Sequence, residues 1–312
     1  MRALRVALVI LLAANTATYA AQGAKSFGSL DEAVNALIDA VRAHDRKALG
    51  EILGPQGRAL VSSGDDVADR NAGQRFVAEY DKAHRVEGGD GKVVLYVGPD
   101  EFPFPIPLVP DGPSWRWDAE AGREEILRRR IGRNELSVIQ VCLAYVDAQR
   151  EYYSQPRTRE GILEYAQKFA SSSGKHDGLY WTTKPGEPLS PLGPLVTRAQ
   201  AQGYARGSGA DSGSGRAPFH GYLYRILLRQ GPHAPDGAYD YVIKGHMIGG
   251  FALIAYPARY GASGVMTFVV NHDAIVYQKD LGPATASAAA AIQSFDPDAT
   301  WTRVEQTTAA AR

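Results

Sequence analysis

Residues 221–282 break into short apolar and aromatic runs separated by turn-forming residues, and this constrains the fold more than any other feature of the chain. The runs occupy 222–226, 239–242, 251–257, 264–270 and 275–277, with Gly, Pro, Asn and Asp between them. Runs of this length and punctuation read as antiparallel strands joined by tight turns. One joint departs from the pattern. Asp273-Ala274 stands where a tight hairpin prefers Asp-Gly. Alanine resists positive φ, so a looser turn is expected there.

Upstream the period changes from two to about 3.6. Ser29 followed by Glu32 is a capping box, and Ala33, Val34, Leu37, Ile38 and Val41 form one apolar helical face behind it. Asp45 can cap a second short helix, and residues 70–84 read as a third. Residues 93–97 and 115–118 read as strands. Residues 102–110 interleave Pro with Phe104, Ile106 and Leu108, which predicts an edge or a loop rather than a central strand. Residues 26–125 are therefore expected to form a small α+β domain, similar to the cone-shaped nuclear-transport-factor-like fold.

The charged stretch 123–130 reads as a hinge or a helix. Asn134 is placed to cap a long helix reaching residue 153, with Leu136, Ile139, Val141, Cys142, Tyr145 and Val146 as its apolar stripe. A second helical stretch is expected at 159–171, ordered loop at 172–195, a mobile Gly/Ser linker at 207–215, a helix at 284–295 and a tail at 301–312. The fold class is α+β, with an N-terminal domain at 26–125 and, at 126–300, a long helix packed on an antiparallel sheet.

The first 20 residues carry a basic start, an apolar run at 6–14 and small residues at 18 and 20, which predicts an export signal cut after Ala20. The apolar run is shorter than the roughly 20 residues a membrane span needs, and no later run reaches that length. Lys plus Arg and Asp plus Glu stand at 34 each. This balance gives no bulk attraction to nucleic acid or to an anionic membrane. Cys142 is the only cysteine, so packing rather than an intrachain disulfide must stabilise the chain. A periplasmic or secreted protein is expected.

Candidate chemistry is sparse. The loop 174–181 gathers Lys175, His176, Asp177, Tyr180 and Trp181. It reads either as a binding surface or as a loop whose aromatics plug the sheet while the charges make turn contacts. Arg133 and Glu135 open the expected long helix, with Glu135 either a general base or an acidic first-turn residue. His220, His233, His246 and His272 lack metal-ligand spacing, so no metal and no cofactor are expected. Serines between glycines at 208 and 214 lack the strand-turn-helix context of a nucleophile elbow. Cys142 on an apolar stripe reads as an inert thiol.

The segments 131–135, 145–152, 177–181, 190–194, 245–253 and 277–283 resemble the exported bacterial family called domain of unknown function 2950. That resemblance implies export and no established activity. The helix beginning at Arg133-Asn134-Glu135, followed by the strand order after Gly221, is also similar to the head of type IV pilins and pseudopilins. A soluble domain replaces the apolar anchor helix of a pilin, so a pilin-head-like module is expected rather than a filament subunit. The leading functional expectation is a non-catalytic envelope module for a protein partner or an extracellular polymer. The alternative is a small-ligand carrier or hydrolytic enzyme with a site in the N-terminal cone or between the two domains, where Arg133, Glu135, His176 and Asp177 would converge on one pocket.

Overall fold

The computed structural model describes residues 23–89, 91–157, 160–204 and 217–305. The expected leader at 1–20, the Gly/Ser linker at 207–215 and residues 306–312 of the expected tail lie outside the described residues. The fold is α+β, and its buried side chains fall into two clusters, one drawn from residues 27–119 and the other from 138–295.

The capping box works as its residue types require. Ser29 Oγ accepts from Glu32 N, and Glu32 Oε2 accepts from Gly28 N, starting α1 (Leu30–Arg42). Asp45 caps α2 (Arg46–Leu53), and the short α3 (Arg58–Val61) follows. Asp65 caps α4 (Asp66–Lys82), so this helix begins four residues earlier than the sequence suggests and ends before His84. These helices share their core with a sheet of β1 (Ser26–Phe27), β2 (His84–Gly89), β3 (Lys92–Val97), β4 (Phe102–Pro103), β5 (Leu108–Asp111) and β6 (Ser114–Trp117). The strand order is β1-β6-β5-β3-β2, with β4 beside β3.

The reading of 102–110 as edge or loop holds for β4 and for residues 104–107, but β5 corrects it from Leu108 on, because that strand sits between β3 and β6. The proline rule is nevertheless respected. The register Val93↔Leu108 places Pro110 beyond the end of β3, so its missing N–H breaks no bond on that side. Trp117 closes this core, fully buried, with its indole N–H donating to the carbonyl of Ala33.

A single helix, α5 (Ala119–Tyr153), crosses from one buried cluster to the other. No hinge interrupts it at 123–130, and Asn134 is not its cap. That stretch is rich in strong helix formers. It is laced by ion pairs from Glu125 to Arg128 and Arg129 and from Glu120 to Arg123, which favour continuation.

The C-terminal half of α5 packs on a sheet ordered β15-β14-β13-β12-β7. Its strands are β7 (Tyr222–Leu227), β12 (Ala252–Pro257), β13 (Met266–Asn271), β14 (Val276–Asp280) and β15 (Thr302–Arg303). Every residue of β12 is buried, which requires cover on both faces of the strand. Two small ladders, β8 (Arg229–Gln230) with β9 (Tyr239–Asp240) and β10 (Val242–Ile243) with β11 (His246–Met247), lie outside this sheet. Helix α6 (Gly193–Ala201) precedes β7, and α7 (Thr285–Ala291) packs on β12. Arg225 donates to the carbonyls of Ala289 and Ile292 at the C-terminal end of α7, where a cation also meets the negative end of the helix.

One further expectation is corrected. Residues 160–169 are not helical, because neighbouring segments claim their backbone groups. Tyr165 N donates to Met247 O, Ala166 N to Gln149 Oε1, and the carbonyls of Lys168 and Phe169 accept from Leu179 and Tyr180. Within the expected tail, β15 pairs with β14 at Tyr277↔Arg303 and Gln278↔Thr302.

The turn between β13 and β14 is longer than a two-residue hairpin, as expected, yet Ala274 still adopts φ 61°. A left-handed alanine costs roughly 1–2 kcal/mol. Ala274→Gly should therefore raise unfolding stability by about 0.5–1 kcal/mol after the larger entropy of glycine in the unfolded chain is allowed for. Urea denaturation reads this directly, and a loss of stability would count against strain at this position.

Candidate functional site

A cavity of about 570 Å³ opens between α1, α2, α4 and α5. Its apolar wall comes from Leu37 and Val41 of α1, Leu49 and Leu53 of α2, and Phe76, Phe104 and Ile106 beyond them. Phe76 and Phe104 lie 5.1 Å apart, centroid to centroid, and Phe104 meets Trp117 edge-on. On the α4 side the lining includes Ala68, Ala72 and Gly73, whose small size leaves room.

Helix α5 supplies the other wall through one stripe. Ile126, Arg129, Arg130, Arg133, Asn134 and Ser137 recur at three- and four-residue spacing and all line the cavity. Arg129 lies over the ring of Phe102, 4.5 Å from its centroid, and pairs with Glu125. Arg130 donates to the carbonyls of Ala59 (3.0 Å) and Leu60 (2.6 Å). Burial pulls the Arg130 guanidinium below its ordinary value, against the pull of Asp69 and with help from Arg133 and Arg259. Arg133 is exposed at the rim.

The far side of the cavity reaches the second buried cluster through Tyr204 and His220. Asp65, itself buried, accepts from Tyr204 Oη (2.8 Å) and Gly221 N (2.9 Å) on one oxygen and from Ala68 N on the other. Burial, reinforced by Asp65, raises the Tyr204 hydroxyl, so it stays a donor. Burial lowers the pKa of His220, with Asp65 opposing, which favours the neutral ring. His220 also holds φ 51°, a left-handed backbone.

The residues expected to converge do not. Arg133 alone of the four lines the cavity. Glu135 stands mid-helix, where it neither caps a helix nor acts as a first-turn acid. Its Oε1 accepts from the amides of Val265 and Met266, both at 2.9 Å, beside the Tyr222 hydroxyl. It serves as a brace for the start of β13. Tyr222 is packed so closely here that a side chain on Gly264 would meet its hydroxyl at 2.1 Å.

His176 and Asp177 lie near the opposite end of α5. The carbonyl of His176 accepts from Tyr152 Oη, and Tyr152 is 19 residues on from Arg133, about 28 Å along the helix axis. Asp177 pairs with Lys168 and accepts from Ser172 N and Oγ. Partial burial works in the other direction, but these bonds hold its carboxyl at about 2. The His176 ring stacks on Trp181 at 4.3 Å, and the Arg157 guanidinium sits over both Trp181 and Tyr152. Tyr180 and Trp181 pack partly buried against the core, while Lys175 and His176 are exposed.

Cys142 is fully buried, and burial pushes its thiol up to about 12. Among the described residues no cluster of three His, Cys, Asp or Glu side chains could hold a metal ion, and no helix is long and apolar enough to cross a membrane.

Fold and cavity together define an α+β protein in which one helix joins a cavity-bearing part to a sheet-bearing part. Residues 24–304 match the model of the family described as protein of unknown function (DUF2950), and the chain belongs to that family. No curated protein and no solved structure matches it.

The bracing role of Glu135 has a measurable consequence. Glu135→Ala should lower stability by about 2–4 kcal/mol, because two amides lose a charged acceptor. Glu135→Gln keeps an acceptor oxygen and should cost less than half of that. Equal stability of the Ala variant and the parent protein would show that the brace carries no load.

Proposed function

We propose that this is an exported binding protein whose cavity holds a small organic molecule with a mainly apolar body. The carrying observation is the 570 Å³ cavity, walled by leucine, isoleucine and phenylalanine and rimmed by a few polar groups. That size and lining match the usual character of small-molecule sites. The leader read from the sequence at 1–20 supports a location in the periplasm or outside the cell. The long helix on an antiparallel sheet, the part likened to a pilin head, serves here as a scaffold behind the cavity.

A neutral polarity-sensitive dye such as Nile red tests the cavity. The mature protein should bind it with a blue-shifted emission. Ala72→Trp, at an exposed position on the cavity lining, should abolish most of that signal without unfolding the chain. Dye binding that is indifferent to Ala72→Trp would remove the cavity from consideration.

A second reading concerns the stack of Tyr152, Arg157, Trp181 and His176. Aromatic and guanidinium planes held in register beside exposed Lys175 make a rigid contact surface for a protein partner or an extracellular polymer. Retention of the protein on its own isolated envelope polymer should drop several-fold in Trp181→Ala and in Lys175→Ala. Undiminished retention of both folded variants would sink this reading.

A further inference from the structure

The charges around the cavity are unequal. Arg75, Arg129, Arg130 and Arg133 line it, against Asp69 as the only carboxylate among the described residues of the lining. Asp69 is already engaged. Its oxygens accept from Ser63 N (2.9 Å) and Ser63 Oγ (2.7 Å), and Arg46 stands 3.6 Å away. Arg129 is matched by Glu125. Among the described residues, Arg75, Arg130 and Arg133 have no carboxylate within ion-pair distance. The partners of Arg130 are two backbone carbonyls, which satisfy its N–H groups without neutralising its charge.

A partly buried, unneutralised guanidinium is costly, and the cost falls when an anion arrives. The planar guanidinium matches a carboxylate or a phosphate through paired hydrogen bonds. Across the same space stand Phe76, Phe104 and the α1 and α2 leucines, which favour an apolar body. A cationic ligand would meet repulsion at the rim. A wholly apolar one would leave the arginines as they are.

We infer that the cavity takes an amphiphile with one anionic head, a carboxylate or a phosphate monoester, held between Arg130, Arg133 and Arg75, with its apolar chain against the phenylalanine and leucine wall. This rests on the reading of the cavity as a ligand site. Arg130 is the inner cation, fixed by the carbonyls of α3. Arg133 on α5 and Arg75 on α4 are exposed cations of the same lining.

Displacement of Nile red from the full mature chain by decanoate, decyl phosphate and decanol tests the inference, because the three share one apolar chain and differ in the head. At least one of the two anions should displace the dye at a concentration roughly tenfold or more below that of decanol. The stronger of the two identifies the head. In the Arg75→Ala, Arg133→Ala double variant this advantage should largely vanish while the decanol curve stays in place. Both positions are exposed, so the double variant leaves the packed core untouched. Dye displacement by decanol as strong as by both anions overturns the inference and leaves the cavity reading standing, as does a double variant that keeps the full advantage. A chain that binds no dye, or binds it regardless of Ala72→Trp, overturns the cavity reading and this inference with it.

Discussion

The structure depends on one buried carboxylate. Asp65 is almost wholly inaccessible, and a charge in that position persists only if its oxygens are filled. Three donors fill them: Ala68 N from the first turn of α4, Tyr204 Oη from the segment after α6, and Gly221 N at the start of β7. The same side chain thus caps a helix of the cavity-bearing part and ties down the entry to the sheet. Removing any one donor leaves part of a buried charge unpaired, so the two parts are joined by a contact that cannot be loosened by degrees. Tyr204 and His220, two of the cavity residues contributed by the sheet-bearing part, are placed by this contact.

Helix α5 does the complementary work. Near its start it turns Ile126 and the arginine stripe toward the cavity, and near its end it turns Tyr145, Gln149 and Tyr152 into the sheet-side core. Gln149 is buried and spends its amide on Ala166 N, Ala166 O and the Tyr145 hydroxyl, which pins the irregular segment 160–169 against the helix. A continuous helix is a rigid spacer. The roughly 28 Å between Arg133 and Tyr152 is therefore a fixed separation, and the cavity and the Trp181 stack cannot meet on one small ligand.

Much of the fold was legible because its signals are local. The Ser29 and Asp45 caps, the strands between 222 and 277, and the inert Cys142 all follow from spacing and residue type. What was illegible depended on distant partners. The helical pattern at 159–171 loses to the carbonyl of Met247 and the amide of Gln149, which no local window contains. Asn134 looks like a cap by type, yet it lies mid-helix and donates to Ser263 O, 129 residues away. The lining of the cavity was the larger omission. Its signal was present as a polar and basic stripe at 129, 130, 133, 134 and 137 beside Ile126, but the charge run 123–130 read only as a hinge or a helix. Periodicity alone does not distinguish arginines facing water from arginines facing a cavity.

That ambiguity bears on Arg133 itself. As a surface residue on an exposed helix it would be worth little to stability, and many exposed ion pairs contribute nothing measurable. Its place beside Arg130 adds to what burial already does there, since the Arg133 charge also lowers the pKa of the Arg130 guanidinium. Packing gives no reason to set like charges one helical turn apart at the mouth of an apolar cavity, and Asp69 of the same lining is turned to Ser63 and Arg46 instead. A small electrostatic cost held in the empty protein and relieved by a bound anion is the arrangement expected of a site whose selectivity lies in its charge and whose affinity lies in its apolar wall.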